Sequence, residues 1–210
     1  MKSDNKNKIG APRTSAFSQI ERVHPAKMLL YLCLAGIGIM FILLLLAYAR
    51  TEARLFQELN LRFPKFFSVS TLILLVSTYT VSRTTKIYRK DKLRKLSVYL
   101  GFTLLLGLAF ILSQAMGWYE LANNGILVKG QVFGSYLYLL SAVHALHLVA
   151  GVLFLMYFYF KCRYSASDPV RTLIFIRDPF RLLQLQLLSS YWYFLTGLWV
   201  VLYLVFLFLL

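Results

Sequence analysis

Residues 132–160, VFGSYLYLLSAVHALHLVAGVLFLMYFYF, decide the fold. The run holds no Asp, Glu, Lys or Arg, and at about 1.5 Å per helical residue it is longer than the roughly 30 Å hydrocarbon layer of a bilayer. Backbone in lipid must satisfy its own hydrogen bonds, so such a run reads as a spanning α-helix. Outward from it, the segments 27–49, 66–82, 97–116 and 184–210 have the same character. The expected fold is therefore all-α, a polytopic membrane helical bundle with five transmembrane helices over residues 27–210, preceded by a flexible basic cytoplasmic tail over 1–26.

Segment 66–82 is the most polar of the five. It carries Ser68, Ser70, Thr71, Ser77, Thr78, Thr80 and Ser82 among its Val, Ile and Leu residues. Helical Ser and Thr hydroxyls bond back to carbonyls one turn earlier, which spares them an unpaired place in lipid. The segment is retained as a span on that ground.

Basic residues set the expected orientation. Of the 23 Lys and Arg, 18 fall in 1–27, 83–95 and 161–183, and 5 in the alternate connections 50–65 and 117–131. The denser set marks the cytoplasmic side, which places the N-terminus inside and the C-terminus outside. The formal net charge of +15 is carried by termini, connections and helix ends. Anionic lipid headgroups or a partner's acidic surface are the expected counter-ions, and no nucleic acid. The basic stretch Arg83–Lys95, with Tyr88 as an interfacial aromatic, is expected to fix topology and hold anionic headgroups.

Other features mark packing or surface roles. Cys33 and Cys162 lie toward the inner halves of different spans, and neither begins a CxxC motif, so no structural disulfide is expected. The N-terminal tail lacks a small-residue cleavage site before a run too long for a signal peptide. Ala35, Gly36 and Gly38 offer a small-residue face on the first span. Arg50, Glu52, Arg54 and Glu58 continue helical spacing past it as a solvated face, and Pro64 constrains the start of the next span. Asp168-Pro169 and Asp178-Pro179 bracket a stretch, Arg171–Arg177, expected to lie at the membrane surface.

Three places in the spans carry polar chemistry. Gln114, ahead of the interfacial pair Trp118 and Tyr119, needs a hydrogen-bond partner in hydrocarbon and reads as interhelical glue. His144 and His147 stand one turn apart, with Gly151 following. Haem ligation, metal binding and proton relay are chemically open to intramembrane histidines. The chain offers no third ligand at a diagnostic spacing and no second membrane histidine pair, so a satisfied interhelical or lipid-linked site is the expected role. The last span carries Tyr191, Trp192, Tyr193, Trp199 and Tyr203 around Thr196 and Gly197, an aromatic face for packing or for gripping acyl chains.

These phrases together resemble subunit III of the haem-copper respiratory oxidases, the cytochrome c oxidase and quinol oxidase family. The resemblance runs through YLCLAGIGIMF (31–41), GLAFILSQAMGWYEL (107–121), GSYLYLLSAVHALHLVAG (134–151) and SSYWYFLTGLWVVLYLVF (189–206). The third phrase, with Gly134, Tyr136, His144, Leu146, His147 and Gly151, is similar to the family's paired-histidine segment, and Trp192, Phe194 and Trp199 to its terminal aromatic helix. The resemblance implies the short, five-helix form.

By that resemblance the chain is a non-catalytic accessory subunit of a proton-pumping terminal oxidase in the bacterial cytoplasmic (inner) membrane. It implies haem and copper in partner subunits, none in this chain, and bound phospholipid. Oxidase subunit I is then the most direct partner, with subunit II in the same complex, membrane lipids around it and a larger respiratory supercomplex beyond. His144, His147, Gln114 and Tyr193 are the candidate lipid or interhelical polar site; Gly36, Gly151, Trp192 and Trp199 are candidates for interface or aromatic packing. The chain departs from the family at Ile37 and Gly117, where acids are common, at Tyr193, where a histidine is usual, and near Thr196, which lacks the common acid. Two other readings are a small membrane transporter or channel subunit, which needs a polar route through the bundle, and an autonomous membrane enzyme, which needs its own redox or metal centre.

Overall fold

The computed structural model describes residues 24–50, 65–126 and 132–209. Most of the tail, the charges Glu52, Arg54 and Glu58, and Pro64 lie outside the described residues. The described residues form six helices and no strand: α1 (Pro25–Ala49), α2 (Lys65–Tyr88), α3 (Leu93–Asn123), α4 (Val132–Ser165), α5 (Pro169–Arg177) and α6 (Pro179–Leu209). All but the short α5 are long and apolar enough to cross a membrane, so this is a multi-pass membrane protein.

The helices outrun the apolar segments because Lys and Arg stems can lie along a helix end while their charges reach water. The basic stretch 83–95 is accordingly no loop: α2 continues to Tyr88, α3 begins at Leu93, and only Arg89–Lys92 turn between them. Asp91 takes a positive φ of 56° there, the left-handed conformation that Asp tolerates better than most residues. At α5 and α6 the two Asp-Pro pairs act as starts. Val170 N–H donates to Asp168 Oδ1 at 3.0 Å and Phe180 N–H to Asp178 Oδ1 at 2.9 Å, each followed by a proline in the first turn, where its missing N–H costs nothing.

Antiparallel α2 and α3 pack closely, α3 packs on α4, and α6 lies against both α2 and α4; α1 leans on α4 and α6. Four helices bury residues at alternating steps of three and four. On α4 these are Gly134, Leu137, Ser141, His144, Leu148, Gly151, Leu155, Phe158 and Cys162; on α6, Leu185, Leu188, Trp192, Leu195, Trp199, Leu202 and Phe206. A repeat averaging 3.5 residues is the seam of a bundle with knobs-into-holes packing. α1 fully buries only Leu34, Phe41 and Tyr48, one per seven residues; Ile37, Met40, Leu44 and Leu45 pack partly against the core, and the opposite face turns outward.

At the end rich in Lys and Arg, α5 is pinned from below. Its Phe175 packs edge-on to Tyr88 and Phe158, and the Tyr88 hydroxyl lies 2.9, 3.3 and 3.2 Å from the carbonyl oxygens of Phe175, Ile176 and Asp178. Val170, Leu173 and Ile174 point away from the bundle. An apolar outer face flanked by Arg171 and Arg177 suits the headgroup–acyl boundary.

Candidate functional site

The polar residues of α2 meet the aromatic residues of α6. Ser70, Thr71, Ser77 and Thr78 each donate their hydroxyl hydrogen to a carbonyl of their own helix, at 2.7–3.0 Å. A hydroxyl used this way still has lone pairs, and these receive donors from neighbouring helices. Trp192 Nε1–H donates to Ser77 Oγ and Trp199 Nε1–H to Thr71 Oγ1, both at 3.0 Å; Gln114 Nε2 of α3 donates to Ser70 Oγ at 3.0 Å. Thr78 and Thr196 share a bond of 2.7 Å, Thr80 and Thr103 another of 2.7 Å, and Ser68 meets Tyr203 at 2.9 Å. The most polar span is therefore the acceptor strip to which the bundle is fastened.

Glycines make room for the tryptophans. A Cβ on Gly107 would lie 2.9 Å from Val152 and 3.2 Å from the Trp192 ring, and one on Gly151 would lie 2.9 Å from Tyr191 and 3.6 Å from Trp192. Trp192, fully buried, thus fills a slot whose walls are glycines of α3 and α4 and whose floor is Ser77 of α2. Trp199 repeats the theme one heptad on, with ring contacts to Phe67 of α2 at 5.9 Å, Phe110 of α3 at 5.3 Å and His144 of α4 at 4.9 Å.

The histidines do not form one site. His144 is fully buried against Phe110 and Trp199, and its Nε2–H donates across to the Leu195 carbonyl of α6 at 3.1 Å. In a neutral ring that leaves Nδ1 as an acceptor, and it has no partner among the described residues. His147 is half-buried, faces Phe41 of α1 at 6.0 Å, and returns its Nδ1–H to the Val143 carbonyl of its own helix at 2.7 Å. Its backbone carbonyl accepts from the Tyr191 hydroxyl at 2.8 Å. The turn between the two residues rotates one ring into the core and the other toward α1.

The remaining candidates separate likewise. Gln114 sits inside with its Oε1 unpaired among the described residues, whereas Tyr193 is 43% exposed and opens toward the α1–α6 groove beside Gly38 and Phe41. Gly36 faces outward with nothing within 4 Å of an added Cβ. Cys33 and Cys162 are free. Among the described residues no three His, Cys, Asp or Glu side chains gather as a metal-holding group. Sequence reasoning did not single out Ser77, Thr71, Phe110 or Gly107 as a set. For Ser77, Thr71 and Gly107 the signal is the 3.5-residue spacing of small and polar side chains inside apolar runs; Phe110, an aromatic within an apolar run, carries none of its own.

No family model matches the chain. Over 133 residues, 63% of this chain and 61% of the relative, it is 26% identical to a probable cytochrome c oxidase subunit 3 of Mycobacterium leprae. Over 143 residues, 68% of this chain and 64% of the relative, it is 24% identical to the same-named protein of Nocardia farcinica. Its curated homologues are oxidase subunits 3. A longer match, 177 residues covering 81% of this chain and 87% of the relative at 25% identity, is to a cytochrome bo(3) ubiquinol oxidase subunit 3 of Buchnera aphidicola. The chain thus spans a little under two thirds of the length of the actinobacterial subunits 3 and most of the Buchnera one.

Proposed function

We propose that the chain is a non-catalytic accessory subunit of a proton-pumping haem-copper terminal oxidase in the bacterial inner membrane. It stabilises the adjacent catalytic subunit, holds lipids and so supports oxygen reduction to water coupled to proton translocation. The basic end is the cytoplasmic one, which puts the end of α6 outside. The observation that carries this reading is the union of similarity to oxidase subunits 3 of two kinds, cytochrome c and ubiquinol oxidases, with a core in which the paired-histidine helix is locked to the aromatic helix by Trp192, Trp199 and His144. Those groups are spent on helix–helix bonds, which suits a scaffold better than a reaction centre or a conduction path.

Two surfaces support partner and lipid roles. The outer face of α1, with Leu32, Gly36, Ile39 and Leu43 exposed, is free to meet subunit I, with subunit II in the same complex. Between α1, α4 and α6 lies an apolar cleft of about 430 Å³ lined by Cys33, Gly151, Phe154, Leu188 and Tyr191, shaped for acyl chains. Native mass spectrometry of the gently purified tagged chain, with an optical spectrum of the same sample, tests the proposal. Co-purification with a large haem-bearing subunit is expected, and haem absent from the purified chain after the partner is stripped. A stable solitary protein or homo-oligomer would overturn it in favour of transport.

A further inference from the structure

We infer that the cleft where α3 leaves the α2–α3 turn is a binding site for the phosphate headgroup of an anionic phospholipid. This open cleft, about 770 Å³, is lined by Lys92, Arg94 and Lys95, by Tyr99 and Thr172, and by the single carboxylate of Asp91. Among the described residues the ion pairs are Arg171 with Asp168 and Arg181 with Asp178, so none of the three cleft cations is matched by a carboxylate within salt-bridge distance. Thr172 gives its hydroxyl hydrogen to the Ser165 carbonyl at 2.9 Å, which fixes the α4–α5 junction as the cleft's far wall. Tyr99 forms no side-chain hydrogen bond with a described residue, and its hydroxyl is left as a donor for a phosphate oxygen.

The occupant follows from what lies below the charges. Val98 lines the cleft and begins an outward apolar stripe on α3 through Phe102 and Leu105, which are 55%, 58% and 64% exposed. Those three residues descend about 10 Å into the span at the helical rise. Cations at a membrane surface joined to an apolar track match a molecule with an anionic head and acyl tails, whereas an acidic peptide in water uses the charges and leaves the stripe bare. This site is distinct from the apolar cleft beside α1. The inference rests on the membrane-spanning reading and is independent of membership in an oxidase.

The test is native mass spectrometry of the purified protein, or of the complex it brings with it, titrated with dioctanoyl phosphatidylglycerol, dioctanoyl phosphatidylcholine and inorganic phosphate. The unaltered protein is expected to retain phosphatidylglycerol at least about tenfold better than phosphatidylcholine, and Lys92→Gln/Arg94→Gln/Lys95→Gln to lose about tenfold of that retention. Lys92→Arg/Lys95→Arg, which keeps the charge, is expected to retain it, as is Lys161→Gln/Arg163→Gln, whose cations bond Tyr157 and Tyr159 and do not line the cleft. Equal loss in the Lys161 and Arg163 variant, no loss in the triple variant, displacement by inorganic phosphate at similar concentration, or loss of an acidic protein in place of lipid would each overturn the inference. Lipid retention without co-purifying subunits would sink the oxidase proposal and leave this one standing.

Discussion

Helices α6 and α1 are both apolar, unkinked by internal proline and long enough to cross a bilayer, yet they are held in different ways. α6 buries residues at two positions per heptad and donates two indole hydrogen bonds to α2; α1 buries one residue per heptad. The contrast teaches that hydropathy measures whether a helix enters the membrane and says nothing of how firmly it is gripped there. Lipid tails are as apolar as Leu, so grip comes from shape and from hydrogen bonds.

The comparison breaks most visibly at Trp192. Trp192→Ala empties the slot between Gly107 and Gly151 and leaves Ser77 without its donor, an expected loss of about 3–5 kcal/mol. Size-exclusion profiles in detergent across a temperature series should show early aggregation, and an unchanged profile would remove α6 from its central place. Filling the slot from the other side is next. Gly151→Leu drives a side chain into Tyr191 and Trp192, with an expected cost of about 1–3 kcal/mol by the same assay.

The histidines sharpen the contrast on a single helix. His144→Ala removes a core ring and the bond to Leu195, for about 2 kcal/mol, while His147→Ala removes a half-buried ring, its contact with Phe41 and a bond to its own turn and should cost less. Both variants should impair assembly or lipid retention before they alter the haem spectrum of the complex; loss of one specific haem with assembly intact would contradict the packing role. The smallest effect belongs to α1. At Gly36 an added Cβ meets no described residue within 4 Å, so Gly36→Leu should shift stability by under about 0.5 kcal/mol, yet reduce recovery of partner subunits in a pull-down. Unchanged recovery would argue that α1 faces lipid alone.

The count and approximate extent of the spans were legible because long charge-free runs have one solution in lipid. The seams were not, since apolar periodicity vanishes when both the core and the surroundings are apolar. What remains is the rhythm of small and polar residues, clearest in Thr103, Gly107, Gln114 and Gly117 on α3, all buried. The expectation that Gln114 needed a partner from another helix was readable from its chemistry, but Ser70 was not, because any of the α2 hydroxyls offered an acceptor. The spacing of His144 and His147 hid their divergence: three residues turn a helix by some 300°, and with α1 on one side and α3 and α6 on the other, that is enough to give the two rings different neighbours. Gly36, read with Ala35 and Gly38 as a packing face, splits from Gly38, which alone of the two reaches Phe194.

The acceptor strip on α2 also has a bearing on the order of synthesis. α2 leaves the ribosome long before α6, so Thr71 and Ser77 must wait in the membrane for the tryptophans that will use them. Their hydroxyls are already turned back onto the carbonyls of Phe67 and Leu74, so neither is a naked donor while it waits. A chain stalled before α6 would be inserted and helical, with its glycine slot vacant, and would present a recognisable unfinished surface to membrane proteases.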